Sequence, residues 1–132
     1  MIYLPDTDTV NYLFKKIPSA NDHYWAAIAS GATFVLSMMV HFQVTRYLEL
    51  KGASHFRREY EELTVDWQKV GLDVSDWDEA TRLWAERHRV GKPIDDADLL
   101  IAIMARKCGA VVVTNNTRHF EGLGVPIVNW AA

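Results

Sequence analysis

The chain has 132 residues, a formal charge of −3 and one cysteine, Cys108. That length fits a single domain, residues 1–132, with enough bulk in its five Trp, five Tyr and five Phe to bury a real core. The lone cysteine excludes an intrachain disulfide and argues against a thiolate zinc site, and the mild acidity argues against a generally basic nucleic-acid-binding surface while leaving room for an acidic site that reaches nucleic acid through metal ions.

The chain reads as strands alternating with helices. Ile2 to Leu4 form an apolar strand that Pro5 ends. Val10, Leu13, Phe14 and Ile17 then keep helical spacing up to Pro18. Trp25 and Ile28 are expected to anchor a second short helix that Gly31 stops. Ala32 to Ser37 are strand-like, and Ser37 can cap a helix running to Lys51, with Gly52 beyond it. Within it Val40, Gln43, Tyr47 and Leu50 share one face, which places Gln43 on an inward stripe.

Ser54 can cap the next helix, whose apolar face would be Phe56, Tyr60, Leu63 and Trp67. Val70, Leu72 and Val74 alternate as a strand. In "SDWDEATRLWAERHRVGKP", Ser75 and Asp76 offer caps and Glu79 can complete a capping box with Asp76. Trp77, Ala80, Trp84 and His88 share one face of that helix, and Gly91 and Pro93 end it. "DADLLIAIMARKCG" predicts a helix that is apolar nearly all round after an acidic start, hence buried. "AVVVT" is the β-branched run of a parallel sheet's interior, and "PIVNW" supplies a last strand. The alternation predicts an α/β fold with a mainly parallel sheet. No apolar run has bilayer-crossing length and no charged-then-apolar leader opens the chain, so a cytoplasmic protein with no membrane partner is expected.

The acids fall in one kind of place. Asp6 follows the first strand, Asp95, Asp96 and Asp98 open the buried helix, and Asn115 and Asn116 follow the AVVVT strand. Strand C-termini and helix N-termini are where parallel sheets gather functional groups. Asp98 shares a face with Ile101, Ala102 and Ala105, so it should point inward. An unpaired buried carboxylate costs several kcal/mol or shifts its pKa, so a cation or dedicated donors are expected beside it. Asp95 reads more simply as a helix cap. Gln43 is open to a plain reading as a buried hydrogen-bonding side chain, and His41 and His88 read as ordinary packing or surface residues.

Two families share these residues. "DTDTV" fits the D-x-D-x-[TV] motif of haloacid-dehalogenase-like phosphatases, in which Asp6 would be the nucleophile and Asp8 a general acid/base, but that match covers only four or five residues. The other resemblance runs through the whole chain. "YLPDTDTVNYL", "VLSMMVHFQVTRYLELKGA" and "VGKPIDDADLLIAIMARKCGAVVVTNNTRHFEGLGVPIVNW" resemble the PIN-domain ribonucleases, and within them the VapC-like toxins of type II toxin–antitoxin pairs.

The resemblance implies a three-layer α/β/α fold around a mainly parallel sheet, a Mg²⁺- or Mn²⁺-dependent endoribonuclease site, an RNA substrate, a VapB-like antitoxin partner and a homodimer. It implies that Asp6 and Asp98 bind metal and that Asn116 stands where many relatives carry a fourth aspartate. The second acid, a glutamate six residues after the serine in the family pattern, lands on Gln43. Asp8 stands where an asparagine is frequent, and Asp95 where a glycine is. Asp96 would be an outer-shell or water-positioning group, and Arg46, Lys51 and Arg118 could meet phosphates. Three readings follow from Gln43: an active nuclease with a shifted metal set, an attenuated toxin, or a PIN-like module that binds RNA or a partner without cutting.

Overall fold

The computed structural model describes residues 1–131. Five strands, β1 (Ile2–Pro5), β2 (Thr33–Ser37), β3 (Gln68–Val70), β4 (Val111–Val113) and β5 (Ile127–Val128), form one sheet in the order β3-β2-β1-β4-β5. Every pairing is parallel. β1 lies at the centre, with Leu4 opposite Val112 and Pro5 opposite Val113. Six helices fill the connections: α1 (Thr7–Phe14), α2 (Pro18–Ala29), α3 (Met38–Lys51), α4 (Ser54–Thr64), α5 (Val74–Arg89) and α6 (Asp96–Cys108). A 3-10 turn covers Thr117–Phe120.

The chain steps outward from β1 to β3, then crosses back to β4 on the other side of β1. With the right-handed crossovers that parallel connections almost always take, α1 to α4 cover one face and α5 and α6 the other. The packing follows this: α1 meets α2, α3 and α4, while α5 lies along α6. The expected α/β/α sandwich is therefore the observed one. Leu4, Leu36 and Val112 from the sheet, Val10, Val40 and Val44 from one layer, and Ile101, Ile103 and Met104 from the other are fully buried. Strand order reverses between β1 and β4, which makes the crevice at their C-terminal ends the topological switch point.

Several local expectations need correction. α2 turns Ala20, Tyr24 and Ala27 inward, so Trp25 and Ile28 are exposed rather than anchors. α4 is headed by Ala53 without a side-chain cap, so Ser54 does not cap it, and Trp67 lies beyond its end. β3 stops at Val70 and Val74 opens α5, so Val70, Leu72 and Val74 are not one strand. The cap of α5 is Asp73, which accepts from the Asp76 N–H while the Asp76 carboxylate accepts from the Asp73 N–H. The capping box thus sits earlier than Asp76–Glu79, because Asp76 gains a second partner in Lys107 at 2.7 Å.

α5 buries Ala80 and Leu83 and leaves Trp77 and Trp84 about half exposed, with His88 stacked on Trp84. The face of α3 that points inward is Val40, Val44 and Leu48; of the expected face Val40, Gln43, Tyr47 and Leu50, Tyr47 and Leu50 are exposed and Gln43 stands at the edge of the buried stripe. Among the described residues no helix is long and apolar enough to cross a membrane.

Candidate active site

Asp6 sits at the switch point because β1 ends on it and α1 begins after it. Its N–H donates to the Val113 carbonyl of β4 at 2.9 Å, which continues the ladder one residue past Pro5. Its carboxylate then caps α1, one oxygen accepting from the Thr9 N–H at 3.0 Å. The other accepts from the Thr114 hydroxyl at 2.7 Å, across to the residue that follows β4. Asp6 is only 5% exposed. Burial pushes its carboxyl above the ordinary aspartate range, the bonds from Thr114 and Thr9 hold it partly down, and the charge of Asp8 pushes it further up. The site therefore contains a carboxylate that is oriented by its neighbours and short of positive charge.

Asp98, in the first turn of α6, is half-buried as its inward face requires. Burial raises its carboxyl, His119 counteracts, and Asp95 and Asp8 raise it again. His119 Nδ1 lies 2.9 Å from Asp98 Oδ2. Asp8, exposed on α1, acts electrostatically on both Asp6 and Asp98 and so links them into one acidic group. Asn116 closes the ring from the β4 side: its N–H donates to Thr114 Oγ1 at 2.9 Å, and its side-chain amide reaches Asp8 at 3.4 Å. Gln43 approaches through Thr7, whose hydroxyl donates to the Gln43 amide oxygen. Asp6, Asp98, Asn116 and Gln43 are thus joined through Thr114, Asp8 and Thr7.

Asp8, Thr114 and His119 are not site residues in the PIN-like reading of the sequence. Asp8 stands there as a departure from the family pattern, and as the general acid/base only in the phosphatase-like match, two residues from Asp6. Thr114 had been read as a strand end, and a hydroxyl at the tip of a buried strand beside an acid is the signal that could have marked it. His119 had no such signal, because its partner lies on another element. Asp96 is exposed and lines a surface groove with Trp77 and Trp84. Asp95 stands at the head of α6 but its side chain makes no capping bond. Arg46 lies over the Phe42 ring and Lys51 over the Tyr47 ring, both on the exposed side of α3.

The donors around the cleft are carboxylate and amide oxygens, with the imidazole of His119 engaged by Asp98. Oxygen donors of this kind suit a hard divalent cation, which takes one or two protein carboxylates and leaves other positions to water or phosphate. The raised carboxyls of Asp6 and Asp98 are a second sign of fit, since an added cation would offset the burial that chiefly raises them and the smaller repulsion from their acidic neighbours. Among the described residues no three His, Cys, Asp or Glu side chains are grouped closely enough to hold a metal ion.

The parallel five-stranded α/β/α sandwich is a fold this chain shares with proteins of known structure. Solved VapBC structures share it over their length: VapBC2 from Rickettsia felis, bound to a DNA fragment from its promoter, has a chain that matches with a TM-score of 0.87 at 23% identity, covering 98% of this chain and 99% of that one. A chain of DNA-bound VapBC from Salmonella typhimurium matches with a TM-score of 0.85 at 23% identity and 98% coverage of both. VapBC-1 from nontypeable Haemophilus influenzae matches at 0.79 and 23% identity over 100% of both chains. In sequence, 58 residues are 43% identical to the tRNA(fMet)-specific endonuclease VapC of Shigella flexneri, a match that covers 40% of this chain and 44% of that protein. The chain thus spans less than half the length of this curated relative in the match. No protein-family model matches the chain.

Proposed function

We propose that this protein is a metal-dependent endoribonuclease toxin of a VapBC-type pair, working with Mg²⁺ or Mn²⁺ and held in check by a VapB-like antitoxin. The observation that carries the reading is the oriented, charge-deficient pair of Asp6 and Asp98 at the switch point, found in a chain that resembles an endonuclease in sequence and VapBC chains in fold. Asp6 and Asp98 are the proposed metal ligands, with Asn116 and Gln43 as further oxygen donors. A divalent cation held by them supplies electrostatic stabilisation of the scissile phosphate and an acidified water. The chain's own residues do the positioning. Thr114 and the Thr9 N–H fix the rotamer of Asp6, His119 fixes one oxygen of Asp98, and Asn116 stands at the mouth of the cleft.

Gln43 is the reason to expect weakened activity. An amide oxygen is a weaker cation ligand than a carboxylate and cannot take a proton, and here it is already bonded to Thr7. The same observation supports a second reading, a PIN-like module that binds RNA or a partner without cutting. A cytoplasmic homodimer completes the proposal. Purified protein incubated with RNA and Mn²⁺ tests it: cleavage is expected, Asp98→Asn should abolish it, and cleavage that is indifferent to Asp98→Asn or to chelation sinks the nuclease reading.

A further inference from the structure

Beside Asp98 lies an open cleft of about 420 Å³. Arg87 from the last turn of α5, Lys92 from the following loop, and Arg118 and His119 from the 3-10 turn line it. Asp95 and Glu121 share its walls, yet among the described residues none of Arg87, Lys92 or Arg118 makes an ion pair with a carboxylate. Three cations that leave nearby acids unpaired are free to meet an anion from outside.

Arg87 is the most telling of the three. It is half-buried, and its Nε is shielded from solvent with no hydrogen-bond partner among the described residues. Leaving a buried donor unpaired is costly, and native structures seldom do so without a use for the group. The loop after the 3-10 turn closes on the same guanidinium. Gly122 has φ +76°, and a Cβ built on it would meet Arg87 Nη1 at 2.8 Å. The guanidinium therefore lies against the backbone of this loop. A planar guanidinium held there and flanked by two exposed cations matches the shape and charge of a phosphate.

Resting on the nuclease reading above, we propose that this cleft is a phosphate subsite for the phosphodiester adjoining the scissile one, with Arg87 as its fixed donor and Lys92 and Arg118 as its exposed cations. His119 stands between the subsite and the acidic group, since one ring nitrogen meets Asp98 while the residue lines the cleft. RNA laid from Asp98 toward Arg87 would place one phosphate among the acids, where a divalent cation is needed to hold it, and the next among cations.

The test uses the full chain labelled with ¹⁵N in the presence of EDTA, titrated with inorganic phosphate and then with a short single-stranded RNA. A saturable shift of the Arg87 Nε–H resonance is expected with both probes. The double variant Lys92→Gln, Arg118→Gln should lower the slope of log affinity for RNA against log salt by about 0.7, the share of one phosphate on a single strand. In Mn²⁺ it should raise KM about tenfold with kcat little changed. Arg82→Gln, an exposed cation of α5 outside the cleft, should change none of these. If the Arg87 signal is still and the double variant matches the parent while RNA is bound and cut, the subsite is overturned and the nuclease reading survives. If Arg87 responds to phosphate but no RNA is cut in any divalent metal, the nuclease reading fails and takes the substrate role of the cleft with it.

Discussion

Gln43→Glu replaces one amide nitrogen with oxygen, keeps the side-chain shape and adds one negative charge at the wall of the acidic cleft. The Thr7 hydroxyl that now donates to the amide oxygen would donate to a carboxylate, and that bond gains about 1 kcal/mol on becoming charge-assisted. Opposing it is repulsion from a cleft in which burial and neighbouring charge already push Asp6 and Asp98 upward. At an effective dielectric near 20, one further charge at the edge of such a group costs roughly 2 kcal/mol. Without metal the variant should therefore be less stable by about 1 kcal/mol, or ~4 °C in melting temperature for a chain of this size. With saturating Mn²⁺ the balance reverses, because a tenfold gain in metal affinity returns about 1.4 kcal/mol. The assay is thermal melting of both proteins in EDTA and in Mn²⁺, paired with RNA cleavage. The variant should melt lower in EDTA, no lower in Mn²⁺, and cut RNA faster. Equal losses of melting temperature in both buffers, with no gain in cleavage, would show that Gln43 is only a hydrogen-bonding bridge to Thr7.

Asp98→Asn removes a carboxylate that burial holds above its ordinary value of 3.8. A carboxyl raised in the folded state weakens the fold as pH climbs from 3.8 through the folded pKa, after which the loss is constant. The metal-free variant should thus melt higher than the parent at pH 7, with the gap closing as pH falls toward 3.8; parallel melting curves across that range would contradict the assignment. Thr114→Val removes the hydroxyl that donates to Asp6 and accepts from the Asn116 N–H. It should cost about 2–3 kcal/mol in urea unfolding, with Thr114→Ser restoring most of it, and a neutral result would mean that Asp6 is satisfied another way. Asp76→Ala breaks the capping box of α5 and the part-buried contact with Lys107, and should lower stability in the same assay by about 1 kcal/mol from the lost cap.

What could be read before the structure was whatever depends on local pattern. The run Val111–Val113 and the apolar body of α6 are continuous enough that only burial in a parallel α/β core suits them. Asp6 and Asp98 stood out because each is an acid adjoining such an apolar element. Periodicity alone could not say which face of an amphipathic helix is covered. On α5 the large aromatics Trp77 and Trp84 stay half in water while the smaller Ala80 and Leu83 take the core. Ser37 caps α3 as its position suggests, but the cap of α5 escaped for a related reason: Asp73, Ser75 and Asp76 all suit its start, and Lys107, which arrives from α6, adds a partner for Asp76. His119 was invisible because its partner lies 21 residues away, and Thr114 showed only its place at the tip of a buried strand, since the acid it bonds lies 108 residues away.

That last separation bears on when the protein can act as well as on how. The carboxylate at the head of α1 is made early in synthesis, but the hydroxyl that orients it and the strand that anchors its N–H come more than a hundred positions later. Contacts between distant parts of a chain form late in folding, after the cost of closing the loop between them has been met. A nascent or truncated chain ending before β4 would carry Asp6 without its anchor and lack Asn116 and His119 altogether. The acidic cleft is therefore completed only once the chain has been made through His119, and on the proposed reading shorter translation products should not cut RNA.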